Sequence, residues 1–173
     1  SNDLGTSMAS TAFGSPQGTL NLVPTAFNVD DCLNILLSGW GGVTNNSFTN
    51  TTVTDLPTSA DAFQTTTDGS DFYFMVLGKN FTTFKYGSFF GGSVSSEHVD
   101  GGTSRFDDRG RIYQAVCAGC GGNDDLPTTP GAFSPNNNSS NCNLGVIKLD
   151  FETSVIAEAD VDLDYLIDTT CYE

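Results

Sequence analysis

Residues 125–133 read Asp-Leu-Pro-Thr-Thr-Pro-Gly-Ala-Phe and residues 55–63 read Asp-Leu-Pro-Thr-Ser-Ala-Asp-Ala-Phe, so one motif occurs twice in the chain. A short apolar run follows each copy, at 71–77 and at 143–149. Similar segments also precede the two copies, within 10–42 and 87–122. A chain that repeats itself in this way uses one supersecondary unit twice and packs the copies against each other.

Each copy contains about four short runs rich in Val, Ile, Leu, Phe or Tyr, bounded by Gly, Asn, Asp or Pro, which is the pattern of strands and turns. The chain has 19 glycines and only six lysines and arginines, so residues that favour solvent-exposed helices are scarce. The sequence therefore predicts an all-β protein. A unit of four short strands is typical of a β-propeller blade.

We therefore expect two four-stranded propeller blades that form an incomplete ring, with repeat 1 at residues 1–77 and repeat 2 at residues 78–152. Two blades cannot close a ring, because propellers need at least about four. The chain is then a piece of a longer polypeptide, or the two blades pack on something else, or the two copies form a sandwich instead. The first of these is the preferred interpretation.

The composition excludes several classes of function. With 38% hydrophobic and 11% aromatic residues, the chain has the apolar content of a folded protein. Its net charge of −15 would repel nucleic acid and anionic lipid, so neither is an expected partner. No apolar run is long enough for a membrane helix, and we expect no membrane insertion. Ser1 does not open a signal peptide, so any export signal is expected elsewhere or already removed.

Five cysteines are many for a reducing compartment and favour disulfides. Cys117 and Cys120 form a C-x-x-C motif, but glycines surround it and no helical pattern follows, which argues against a thioredoxin-like site. Redox catalysis and metal binding remain as alternatives. The candidates for structural disulfides are Cys32, Cys117, Cys120 and Cys142, and Cys171 is the candidate for a partner outside this chain.

Trp40 and His98 are the candidate ligand-binding residues. Trp40 lies between two glycines and could stack on a sugar ring, although burial between close-packed sheets is the alternative. His98, the single histidine, has acidic neighbours and could act as a base or bind a metal, or it could bond to the backbone of its loop. Residues 5–9 read Gly-Thr-Ser-Met-Ala, as in subtilisin-type proteases, in which Asp and then His precede the nucleophile; here only four residues precede the motif and the sole histidine follows it. We predict no catalytic residue.

Calcium is the one cofactor that the sequence suggests, because Asp68 and Asp71 offer hard oxygen ligands in one short loop. No segment matches the EF-hand pattern. The alternative is that these acids cap backbone groups of turns without any ion.

The repeated motif resembles the D-F-P-T-T-x-G-A-F signature of the bacterial SBBP β-propeller repeats. Residues 86–92 resemble the Y-S-T-Y-L-G-G segment that opens such a repeat, and residues 71–77 resemble its closing D-A-F-V-A-K-L. Residues 37–42, 97–107 and 115–122 are similar to the last blades of large Bacteroidetes surface proteins. Those proteins carry PKD domains and a gliding-motility-associated C-terminal domain, and they use the type IX secretion system.

The resemblance covers residues 3–150 and implies a non-enzymatic propeller in a large protein of the bacterial cell surface. It implies work in adhesion, gliding motility or surface assembly. The implied partners are other domains of the same polypeptide and outer-membrane or type IX secretion components. A carbohydrate-binding or hydrolase accessory module, with glycans as ligands, is the alternative function.

The last part of the chain differs in composition from the repeats. Residues 150–173 contain eight acids and no base, and apolar and acidic residues alternate at 160–168. Such alternation has the period of a β-strand. We expect residues 153–173 to form an acidic linker or the first strand of a PKD-like or immunoglobulin-like β-sandwich.

Overall fold

The computed structural model describes residues 9–16, 20–42, 52–99, 103–107 and 109–151. Over these residues the chain forms antiparallel strands and no helix, which confirms the predicted all-β class. The expected linker or sandwich strand at 153–173 lies outside the described residues. The strands are β1 (Val23–Val29), β2 (Ile35–Trp40), β3 (Phe72–Leu77), β4 (Phe84–Phe90), β5 (Ser96–His98), β6 (Ser104–Phe106), β7 (Ile112–Cys120) and β8 (Asn143–Leu149).

The first sheet has the order β1-β2-β3-β4. In its centre, β2 pairs with β3 in a regular register that places Trp40 opposite Phe72 and Ile35 opposite Leu77. Every residue of β3 is buried, because both faces of this strand are covered. That explains why its sequence is a continuous apolar run without polar alternation.

The second sheet is built around β7, the longest strand of the described part of the chain. β5 and β6 pair one after the other with one edge of β7, and β8 pairs with its other edge. Burial alternates along β7 and β8, with Val116 and Ile147 inside and Val146 outside. This sheet therefore has one buried face and one exposed face.

The two sheets follow the same plan. β5 and β6 together take the place of β1, β7 takes the place of β2, and β8 takes the place of β3. The first sheet obtains its fourth strand, β4, from residues after 77, so the hydrogen-bonded sheet and the sequence repeat begin at different strands. Two four-stranded antiparallel sheets are therefore present, and over the described ranges they do not close a ring.

The main core lies between the two sheets. Trp40, Phe72, Phe74 and Phe90 project from the first sheet onto an apolar surface of the second sheet, formed by Val99, Ile112, Val116, Ala118 and Ile147. Tyr73 and Met75, on the other face of β3, pack against Val53, which precedes the first copy of the motif, and against Leu56 within that copy.

Polar contacts also join the two sheets. The Gln114 side-chain amide donates to the hydroxyls of Ser38 and Ser104, each at 2.9 Å. The backbone N–H of Glu97 donates to the carbonyl of Ser70 at 2.9 Å. Buried polar groups need such partners, since an unpaired one costs about 1–3 kcal/mol.

Truncation of Phe74 tests the core between the sheets. Phe74 is 1% exposed, so Phe74→Ala should lower the free energy of unfolding by about 3–5 kcal/mol. Phe133 is fully exposed, and Phe133→Ala is the matched control, with an expected change within about 0.5 kcal/mol. Urea unfolding measures both. Equal effects of the two substitutions would contradict the packing described above.

Candidate functional site

The structure brings the two predicted ligand-binding residues together. The rings of Trp40 and His98 have centroids 5.6 Å apart and are tilted by 45°. Trp40 is only 3% exposed and belongs to the core between the sheets. Its indole face is therefore not accessible to a sugar ring, and its location matches the alternative of burial between close-packed sheets. His98 is half-buried on β5, with Nδ1 3.7 Å from the Sγ atom of Cys120.

The two cysteines of the C-x-x-C motif have different environments. Cys120 forms a disulfide with Cys142, which joins the end of β7 to the start of β8. Cys117 carries a thiol and lies on β7 opposite His98. Cys32 is half-buried in the turn between β1 and β2, and Cys171 lies outside the described residues. Cys120 is thus held in a disulfide with a third cysteine, while Cys117 lies in the middle of a strand, which is unlike a dithiol redox site.

The predicted metal ligands Asp68 and Asp71 have different roles. Asp68 accepts a hydrogen bond from the N–H of Ser70 at 2.8 Å, which is an Asx turn that needs no ion. Asp71 is fully buried at the start of β3. Its Oδ2 atom is 3.5 Å from the side-chain amide of Gln64, and its Oδ1 atom is buried without a hydrogen-bond partner.

Glu97 is a second buried carboxylate beside Asp71. It is 1% exposed and accepts hydrogen bonds from the N–H of Gly92 at 3.2 Å, from the N–H of Gly119 at 3.3 Å and from the Ser95 hydroxyl. Gly91 lies between the two acids: a Cβ there would come within 1.9 Å of Asp71 Oδ1 and 2.6 Å of Glu97 Oε2. The two oxygens therefore lie close to the same point above Gly91. We call Asp71, Glu97 and Gly91 the acidic joint.

The electrostatics of the acidic joint are unfavourable for two ionised carboxylates. Burial, the largest cause, together with the negative charges of Asp68 and Glu97 raises the pKa of Asp71 to about 7, while a hydrogen bond from Thr67 acts to lower it. Burial also raises the pKa of Glu97, and its hydrogen bonds oppose that change. The charged groups that act on Asp71 are thus themselves acids.

A small cavity of about 330 Å³ adjoins the acidic joint. Its walls include Gly91 of the joint, Gln64, whose Oε1 accepts the N–H of Gly91 at 3.2 Å, and the hydroxyl residues Thr66 and Thr67. Asp125, from the second copy of the motif, also lines this cavity and accepts N–H bonds from Ser93 and Val94 at 2.6 and 2.8 Å. Over the described ranges no group of three or more His, Cys, Asp or Glu side chains is arranged to hold a metal ion.

The exposed face of the second sheet is a separate candidate site. When the closing strands of the two repeats are aligned, Leu144 and Val146 of β8 correspond to Phe72 and Phe74 of β3. Phe72 and Phe74 are buried against the second sheet, whereas Leu144 and Val146 are 71% and 77% exposed. We call the surface formed by Tyr113, Ala115, Cys117, Leu144 and Val146 the outer face.

The edge of β8 is also open. In the first sheet β4 pairs with the far edge of β3, but no described strand pairs with the far edge of β8. An apolar groove of about 990 Å³ runs along the whole of β8. Residues of the second copy of the motif line its other side, including Leu126, Pro127, Pro130 and Phe133. The groove and the outer face adjoin each other along β8, so together they form a continuous apolar surface.

No protein-family model, curated protein or solved structure matches this chain. A search of the described residues for a helix long and apolar enough to cross a membrane finds none.

Sequence reasoning missed Glu97, Gly91 and the outer face. Gly91 and Gly92 belong to the segment that opens a repeat, residues 86–92. Nothing in the local sequence indicates that the side chain of Glu97 folds back and accepts the N–H of Gly92. The outer face did have a signal. Leu144, Val146 and Lys148 alternate with Gly145, Ile147 and Leu149, which is the pattern of a strand whose two faces differ.

The raised pKa of Asp71 predicts a pH dependence of stability. The carboxyl of Asp71 has a pKa near 4 in the unfolded chain and about 7 in the folded chain. Its contribution to the free energy of unfolding is therefore fully present below about pH 4 and is lost as the pH rises through about 7. Asp71→Asn should therefore become more stable than wild type as the pH increases, by at most about 4 kcal/mol at pH 8. Urea unfolding in EDTA at several pH values measures the difference.

The control for this measurement is Asp31→Asn. Asp31 is exposed in the turn at the other end of the first sheet, so its substitution removes one charge without touching the joint. Its stability should run parallel to wild type across the pH range. If the stability of Asp71→Asn also changes with pH as that of wild type does, the carboxyl of Asp71 does not hold its proton in the folded chain.

Proposed function

We propose that this chain is a non-enzymatic structural module, made of two successive units of a β-propeller-like repeat array in a larger secreted surface protein. The outer face and the edge of β8 would bind the next unit of the same polypeptide. One observation carries this proposal: Leu144 and Val146 are exposed, whereas Phe72 and Phe74, at the corresponding positions of the first repeat, are buried between the two sheets.

The physical basis is the cost of leaving this surface in water. Each buried Å² of apolar surface contributes about 25 cal/mol, and the equivalent surface of the first sheet is fully buried. An open strand edge next to apolar side chains also favours pairing with another strand. A further unit with the same plan would supply a strand in the place of β4 and a sheet in the place of the second sheet.

The sequence resemblance supports the wider setting of the proposal. SBBP-type repeats belong to large Bacteroidetes surface proteins, and we propose adhesion, gliding motility or surface assembly as the work of the whole protein. The Cys120–Cys142 disulfide is compatible with an extracellular location. A glycan-binding or hydrolase accessory role draws no support from Trp40, because the indole is buried.

Hydrogen exchange tests the proposed contact. The amides of β8 should exchange at least about tenfold more slowly in the native polypeptide than in this chain alone, because a neighbouring strand and sheet would protect them. Peptides from β3 serve as the internal control, since β3 is covered in both forms. Equal exchange of β8 in the two forms would show that no further unit covers it.

Substitutions give a second test of the same proposal. Val146→Asp should leave the stability of this chain within about 0.5 kcal/mol of wild type, because Val146 is exposed in it. The same change should destabilise the native polypeptide by about 2 kcal/mol or more, because the charge would be buried in the contact. Val29→Asp, on the exposed part of β1, is the control and should affect both forms equally.

A further inference from the structure

We propose that the acidic joint between the two sheets binds a divalent cation, calcium, through the carboxylates of Asp71 and Glu97. This site goes beyond the proposed contact with a further unit and does not depend on it. Its ligands come from both sheets, since Asp71 precedes β3 and Glu97 lies on β5. A bound ion would therefore fix the two sheets to each other.

The first observation is the orphaned oxygen of Asp71. The residue is fully buried, its Oδ1 atom has no hydrogen-bond partner, and that atom and Glu97 Oε2 lie close to the same point above Gly91. A buried carboxylate oxygen without a donor is expensive unless a cation or a proton satisfies it. The nearest charged groups, Asp68 and Glu97, are acidic and cannot supply that compensation.

The second observation comes from the equivalent place in the first repeat. There Asn21 takes the role of Glu97: its Oδ1 atom accepts the N–H of Ser15 at 2.6 Å, as Glu97 Oε2 accepts the N–H of Gly92. Gly14 takes the role of Gly91, with Asn21 Oδ1 3.3 Å from where its Cβ would be. A neutral amide is thus sufficient to hold this loop. The loop does not require the charge of Glu97, and that charge is placed beside a second buried acid.

The chemistry of the surroundings favours calcium. Carboxylates, hydroxyls, amide oxygens and water are hard ligands, and Gln64, Thr66 and Thr67 line the adjoining cavity. Calcium accepts 6–8 oxygens in irregular geometry at about 2.3–2.6 Å, whereas magnesium needs a near-ideal octahedron. Two carboxylates with backbone, side-chain and water oxygens fit the looser requirement. Such a site does not need three acidic side chains.

Calcium chloride added to the EDTA-treated wild-type chain tests the proposal directly. Equilibrium dialysis with radioactive calcium should show one site with a dissociation constant of about 0.1–1 mM, the range of extracellular calcium modules. Saturating calcium should raise the melting temperature by several degrees, and magnesium should raise it less. No bound calcium up to about 10 mM would overturn the proposal.

Variants locate the site. Asp71→Asn and Glu97→Gln keep hydrogen-bonding groups of the same shape, and each should lower the calcium affinity at least about tenfold and abolish the rise in melting temperature. Asp31→Asn, at the far end of the first sheet, should bind and respond as wild type does. Undiminished binding by Asp71→Asn would overturn the proposal, and so would an equal loss in Asp31→Asn.

Discussion

The strand Phe72–Leu77 is buried on both faces, and the rest of the structure depends on that constraint. Phe72 and Phe74 require an apolar sheet on one side, which β7 and β8 provide. Tyr73 and Met75 require cover on the other side, which the loop around Val53 and Leu56 provides. A sheet with two apolar faces cannot stand alone, so the fold is an arrangement of stacked units. The exposed side of the second sheet is the place where this stacking stops in the described structure.

Polar groups at the same joint determine how the sheets are oriented. Apolar packing alone tolerates sliding, whereas the Glu97 N–H to Ser70 carbonyl bond and the Gln114 to Ser38 bond fix a single register between the sheets. The buried carboxylates of Asp71 and Glu97 instead destabilise the contact between the sheets. Their desolvation and mutual repulsion weaken the joint whenever both are ionised without a compensating charge. The stability of the sheet-to-sheet contact therefore depends on solution conditions in a way that a purely apolar contact would not.

Local patterns predicted much of the fold, and contacts between distant residues were the part that they could not predict. The repeated motif and the apolar runs indicated strands in both copies, because strand formation is written in short segments. The pairing of Cys120 with Cys142 depends on how β7 and β8 align within the second sheet, and the approach of Trp40 to His98 depends on how the two sheets meet. The sequence places Asp71 beside Asp68, whereas the fold places it beside Glu97 from the other sheet. Only the assembled joint places these two acids above Gly91.

The two repeats differ at the residues that correspond to Asp71, Phe72 and Phe74, so a contact at the outer face would differ from the contact between the two described sheets. Asn143 stands in the second repeat where Asp71 stands in the first, and it is exposed and donates to the carbonyl of Asn137. A unit stacked on the outer face would therefore meet a neutral amide at this position. Leu144 and Val146 are also smaller than Phe72 and Phe74, so the proposed further unit would need larger side chains to fill a contact with the outer face. Buried carboxylates are thus a feature of the contact between the two described sheets, whereas a contact at the outer face would begin from a neutral amide.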